Sequence, residues 1–255
     1  MTNNKFTANT EMCGRARCRL SPDSIKSLAK ANIWNEQELY KQMENLSPSK
    51  AVPVLYQENT HGKWERVLRS MTWGLIPSFT DANTIPDFFK MHNTRVESIH
   101  DKPSFKRLVN RRRCVVFIDG YYEWRSEAGE KQPYLMYFQH DRPIAVAGVY
   151  DIWHQQTPDG LQSRYTCSMI TGPANSHISK IHTRQPVLLS TEHLIENWLN
   201  YEIPFQTIIK LVPVPYSGSD LIYHPVHPRM SKGTYQGMDC SAPIQLTSKI
   251  ISLFR

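Results

Sequence analysis

No apolar run in this chain approaches the roughly 20 residues a membrane-spanning helix needs, which excludes a helical membrane protein. The five cysteines (Cys13, Cys18, Cys114, Cys167, Cys240) lack C-x-x-C spacing and the histidines are dispersed. That argues against a metal site and against a disulfide scaffold, and it fits a reducing, cytoplasmic compartment. Cys13-x4-Cys18 is at most half a metal site, with no second pair to complete it. Repeats, low-complexity tracts and long linkers are missing too. Residues Met1 to Glu11 are polar and lack the apolar core of a secretory signal, so residues 1–12 are expected to be a disordered or removed extension, or to follow an upstream start. What remains is 255 residues, 40% of them apolar, enough for one large domain (13–255) with a substantial core. A net charge of +7 favours polyanions over anionic small molecules as partners.

Local patterns point to many strands and few helices. Ser21-Pro22-Asp23 supplies an N-cap, a proline at the first helical position and an acid in the first turn, so a helix is expected through about Ala31. Further helices are expected at Pro103 to Arg113, Thr191 to Leu199 and Pro204 to Leu211. Strands are expected at Val52 to Gln57, Trp64 to Leu75, Cys114 to Ile118, Tyr134 to Phe138, Ile144 to Trp153, Tyr165 to Thr171, Pro186 to Leu189 and Ile222 to Val226. Asp119-Gly120 marks a turn or bulge before Tyr121-Tyr122-Glu123-Trp124. Strands without regular alternation with helices predict an α+β domain, largely antiparallel, with a small barrel-like core surrounded by helices. Seventeen prolines predict shaped loops.

The most informative residues are Met12-Cys13-Gly14-Arg15. Cleavage after Met12 would make Cys13 amino-terminal, carrying an α-amine and a thiol on adjacent carbons. Such a pair condenses with an aldehyde to a Schiff base, and the sulfur then closes a thiazolidine ring. With a reference pKa near 8 against about 10.4 for lysine, roughly 10²-fold more of this amine is neutral at pH 7. Elsewhere, Glu123 lies between Tyr122 and Trp124, where aromatic surroundings would raise a carboxyl's pKa. Strand alternation alone points it outward to solvent instead. His182 precedes a strand and could shuttle protons or be merely structural. Asn93-Thr94-Arg95 could orient a polar intermediate and grip a phosphate, or start a helix with Asn93 or Thr94 as its cap. Lys106 to Arg113 carries five basic residues in eight, either phosphate-facing or a solvated helix face. Trp73 to Pro77 and Phe79 offer aromatic surface for unstacked bases, unless Trp73 is core.

Seven motifs occur in order: M-C-G-R, N-x-S-P (Asn45 to Pro48), W-G-L-I-P (Trp73 to Pro77), N-T-R-x-E (Asn93 to Glu97), D-G-Y-Y-E-W (Asp119 to Trp124), K-Q-P-Y (Lys131 to Tyr134) and I-H-T-R-Q-P (Ile181 to Pro186). Together they resemble the SRAP family, the SOS response-associated peptidase-like proteins that process abasic sites in DNA. The resemblance runs from Cys13 to about Ile244. It implies an α+β fold around a small barrel, binding of single-stranded DNA or strand junctions, no cofactor, and covalent capture of the ring-opened abasic sugar in DNA damage repair. It implies that Cys13 is the nucleophile through amine and sulfur, that Asn93 bonds the adduct, that Glu123 is acid and base, and that His182 assists proton transfer. Arg15, Arg95 and Arg184 would contact phosphates, Trp73 would shape the path of a bent strand, and Asn45 would join the DNA-binding set. Autoproteolytic exposure of the cysteine and lyase activity belong to the same expectation. Two departures stand out: twelve residues precede Cys13, and Val226 to Gly233 lacks the family's frequent asparagine. The competing readings are a cysteine peptidase using Cys13 and His182, and a non-catalytic single-strand binding module.

Overall fold

The computed structural model describes residues 14–127 and 130–246. Cys13 and the expected 1–12 extension lie outside the described residues. Thirteen strands follow in chain order among those described: β1 (Ala16–Cys18), β2 (Trp34–Asn35), β3 (Met43–Leu46), β4 (Ala51–Thr60), β5 (Lys63–Trp73), β6 (Asn93–Arg95), β7 (Arg113–Ile118), β8 (Gly120–Glu127), β9 (Glu130–Phe138), β10 (Ile144–Thr157), β11 (Gly160–Pro173), β12 (Arg184–Pro186) and β13 (Leu221–Pro225). The α-helices are short: α1 (Pro22–Ala29), α2 (Pro103–Lys106), α3 (Glu192–Leu199) and α4 (Phe205–Leu211).

Five strands close on themselves. β4 pairs antiparallel with β5, β10 with β11, β7 with β10, and β4 with β7. A short parallel pairing of β11 with β5, Thr166 opposite Thr72 and Cys167 opposite Trp73, seals the ring. The expected barrel-like core is therefore present. Its strand β7 is buried at every position, which is why Arg-Cys-Val-Val-Phe-Ile reads as a continuous rather than an alternating run. The β4–β5 hairpin turns at His61 and Gly62, with φ of 54° and 85°. Positive φ at both central residues matches the right-handed twist of the flanking strands, and glycine adopts it without a Cβ penalty. A second sheet, ordered β13-β9-β8-β1-β3, packs beside the barrel.

Past the stretch where β11 meets β5, that edge accepts β6 in parallel, while β12 pairs antiparallel on the opposite edge. These edge strands carry Asn93 and the residues following His182, while the second sheet carries Glu123. The seam between the two sheets is thus where the chemistry-bearing residues can meet.

The expected cap at Ser21 is present, and Thr191 caps α3. Ser21 Oγ accepts from Ser24 N at 3.2 Å, and Thr191 Oγ1 accepts from Leu194 N at 3.2 Å. One expectation fails. Helix α2 stops at Lys106 instead of running to Arg113, which opens strand β7 with its guanidinium turned inward. It donates to the carbonyls of Val109, Trp198, Asn200 and Ile203 and is fully buried. Burial lowers its pKa to about 10, still far above neutrality, so the charge persists and the four carbonyls satisfy it. At Asn93, where a helix start is one of two open readings, residues 93–95 form β6 on an edge of β11, and a 3-10 turn, Val96–Ser98, follows.

Candidate functional site

Glu123 is 1% exposed, so alternation does not send it to solvent. Strand β8 is covered on both faces. Tyr121 packs into the main core, while Tyr122 packs with Leu135, Val226, Met230 and Cys240 in a separate cluster. Glu123 shares Tyr121's face. Its Oε1 lies 3.9 Å from Nδ1 of His182, itself 9% exposed, so the two titratable groups meet across the seam. His182 Nδ1 faces the backbone of Arg184, 3.1 Å from its N–H and 3.3 Å from its carbonyl oxygen. Burial, followed by the charge of Glu123, raises the pKa of Tyr121, keeping that phenol neutral.

Asn93 occupies the parallel β6–β11 pairing opposite Met169. Both polar atoms of its amide are buried and have no hydrogen-bond partner among the described residues. A buried amide left so is costly. Trp73 lies beneath this edge, only 2% exposed, its Nε1 donating to the carbonyl of His92 at 2.9 Å and its ring edge-on to the imidazole at 5.7 Å. As placed it is a floor for the site, not a surface on which a base could stack. Phe79 is exposed and remains available for that.

The chain enters this site at Gly14. A Cβ there would fall 2.8 Å from Cδ2 and 2.9 Å from Nε2 of His92, and 2.9 Å from Cγ of Pro48, so only glycine passes. The next residue, Arg15, accepts at its carbonyl from Tyr122 N, which lays the chain along β8 immediately beside Glu123. Cys13 directly precedes Gly14. The four described cysteines are buried, and burial pushes the Cys18 thiol up to about 12 and that of Cys240 up to about 11. Burial likewise raises Cys114 and Cys167. None of the four is poised as a thiolate nucleophile.

The basic residues divide. Arg95 is exposed. Arg184 forms a two-bonded fork with Glu97 at 2.8 and 2.9 Å and also donates to Thr171. Desolvation works to raise the pKa of Glu97, but the hydrogen bonds and charge of Arg184 win and hold it below the usual range. Arg15 donates to Asn45 Oδ1 at 2.8 Å, and the Nδ2 of Asn45 donates to the carbonyls of Met230, Lys232 and Tyr235. Asn45 is 0% exposed, which corrects its expected contact with DNA. It clamps the 230–235 loop and aims Arg15. In the basic run 106–113, Lys106 and Arg111 are exposed, Arg107 and Arg112 both pair with the buried carboxylate of Asp151, and Arg113 is internal.

The family model described as SOS response associated peptidase (SRAP) matches residues 12–233. This chain belongs to the SRAP family. An abasic site processing protein, HMCES, of Xenopus tropicalis is 30% identical over 93% of this chain and 80% of its own length. The abasic site processing protein YoaM of Bacillus subtilis is 30% identical over 82% of this chain and 88% of its own. A crystal structure of a protein from Bacteroides thetaiotaomicron superposes with a TM-score of 0.72, covering 92% of this chain and 99% of that one at 23% identity, and so shares the fold.

In this SRAP chain Glu123 and His182 meet across the seam, and His92, which precedes Asn93, abuts Gly14. Sequence reasoning overlooked His92 and Glu97. The first was signalled only by its place next to Asn93, the second only as the last letter of the N-T-R-x-E motif. Among the described residues no cluster of histidine, cysteine, aspartate or glutamate could hold a metal ion, and no helix is long and apolar enough to cross a membrane.

Proposed function

We propose that this chain processes abasic sites in single-stranded DNA by capturing the ring-opened sugar on an amino-terminal Cys13. The observation that carries the reading is the buried Glu123–His182 pair, together with Asn93, next in the chain to His92, whose ring abuts Gly14, the residue after Cys13. The α-amine exists only once the Met12–Cys13 bond is cut, by the chain itself or by an aminopeptidase. Glu123 then moves the proton that opens the sugar hemiacetal to the aldehyde. The amine nitrogen adds to the aldehyde carbon, the resulting hydroxyl leaves as water, and a C=N bond remains. The thiol adds across that bond: sulfur takes the carbon, nitrogen takes the proton, and a thiazolidine closes. Asn93 supplies a donor and an acceptor to this adduct, and His182 relays protons. Names of the relatives, as abasic site processing proteins, agree with the substrate.

The test is a uracil-containing single strand treated with uracil glycosylase. A complex resistant to heat and detergent is expected with the abasic strand and not with the intact one. Equal, salt-sensitive binding of both strands without an adduct would instead mark a non-catalytic binding module.

Arg184 reaches a phosphate only by sharing or leaving Glu97. Glu97→Gln should therefore steepen the salt dependence of single-strand binding, by about 0.7 in the log–log slope for one added phosphate contact. An unchanged slope would mean that Arg184 stays a structural fork.

A further inference from the structure

We infer that His177, stacked on Tyr223, is a platform for the nucleobase next to the abasic sugar, a specificity contact that deepens the reading above and rests on it. The imidazole lies over the Tyr223 ring with 4.6 Å between centroids and 29° between planes. Tyr223 in turn meets Tyr134 edge-on at 5.8 Å, and Tyr134 stands directly opposite Glu123 in the β8–β9 ladder. A second link runs through the chain. His177 and His182 hang from one loop, closed where the Ala174 N–H donates to the carbonyl of Thr183, and His182 reaches Glu123 at 3.9 Å. The stacked pair is therefore tied to the buried acid from two sides.

The backbone under the imidazole is fixed. Asn175 Oδ1 accepts from the N–H groups of His177 and Ile178 at 2.9 and 2.8 Å, and Asn175 Nδ2 donates to the carbonyl of Tyr216. Held this way, His177 stays exposed, and its ring nitrogens make no hydrogen bond among the described residues. Positive charge flanks the rings. Lys180 follows in the 3-10 turn Ile178–Lys180, its N–H donating to the carbonyl of His177, and side chains at that spacing lie over one another. It is exposed and makes no ion pair among the described residues. On the other side, burial raises the pKa of Tyr223 while the charge of Arg125 opposes that rise, so the field of this cation reaches the phenol ring. An abasic nucleotide brings no base of its own, so stacking at the lesion has to come from a neighbour. Aromatic surface beside cations suits a base with its phosphate, because every base has a π-face. A purine, with the larger face, gains most.

The experiment measures binding of the full chain to single strands carrying a tetrahydrofuran analogue of the abasic sugar, which has no aldehyde and forms no adduct. The neighbour on each side in turn is adenine, thymine or a second tetrahydrofuran. Wild type should bind the strand with adenine on one side about tenfold more tightly than the strand with tetrahydrofuran there. His177→Ala should erase that preference and His177→Phe should keep it. 2-Aminopurine at the same position should be quenched by wild type and His177→Phe but not by His177→Ala. No neighbour preference in wild type, or an equal one in His177→Ala, would overturn the inference, the latter even if affinity fell uniformly. Capture is scored separately with the glycosylase-treated strand. A His177-dependent preference without any adduct leaves the platform standing and the capture reading fallen; an adduct without a preference does the reverse.

Discussion

Cys13→Ser should abolish the heat-resistant adduct with an abasic strand while leaving a weaker link that borohydride can trap. The substitution keeps the α-amine, so the nitrogen still condenses with the aldehyde and a Schiff base still forms. What is lost is the second bond. A thiol with a reference pKa near 8.5 is partly ionised at neutral pH, whereas a hydroxyl is not, and the oxygen analogue of the ring reopens in water. Blocking the amine by acetylation should remove both species. These two outcomes separate nitrogen from sulfur chemistry and distinguish capture from peptidase action, which needs the thiol but no free amine. A serine variant with undiminished heat-stable yield would reject the two-atom mechanism. The other described cysteines cannot substitute, since each is buried and its thiol pKa is raised.

The seven motifs name Glu123 and His182, which the fold brings within 3.9 Å of each other, because both sit in short, fixed-order patterns. Their environment was less legible. Alternation along β8 assumes one wet face, and here a small cluster of Tyr122, Leu135, Val226, Met230 and Cys240 covers the second one. Asn45 illustrates the opposite error. A polar residue in a conserved-looking motif reads as a contact, yet three backbone carbonyls of the 230–235 loop consume its donors. Those carbonyls lie some 185 to 190 residues away in sequence, beyond any local pattern. Trp73 is similar, its indole tied to the backbone of His92.

The fold divides along the same line. Strand β7 announces itself through a buried β-branched run, and α1 through its cap. Barrel closure does not, because it depends on two parallel residue pairs between β5 and β11. The basic run at 106–113 is only partly exposed, for an electrostatic reason. Two of its guanidiniums neutralise Asp151, which is fully buried, and a third finds four internal carbonyls. Charge density in sequence thus overstated the charge available to a polyanion.

Glu123→Gln is the substitution in which activity and stability should move apart. Gln preserves volume and hydrogen-bonding shape but can neither take nor release a proton at neutral pH. Loss of a positioned acid–base group typically costs 10²- to 10⁴-fold, so adduct formation should slow by about that factor at pH 7. Stability should not fall with it. The carboxyl is 1% exposed, and an ionised group at such a site carries a desolvation penalty that a neutral amide avoids. Thermal unfolding of the variant is therefore expected at the wild-type temperature or above. A residue kept for catalysis at the expense of the fold gives that signature. Were Glu123 simply one half of a structural pair with His182, the reverse would be seen: a lower melting temperature with little change in rate. Measuring both quantities on one preparation decides between the two roles, and a second variant, His182→Gln, shows whether the pair acts as a unit. If it does, the double substitution should slow capture scarcely more than Glu123→Gln alone, because removing either member already breaks the proton relay.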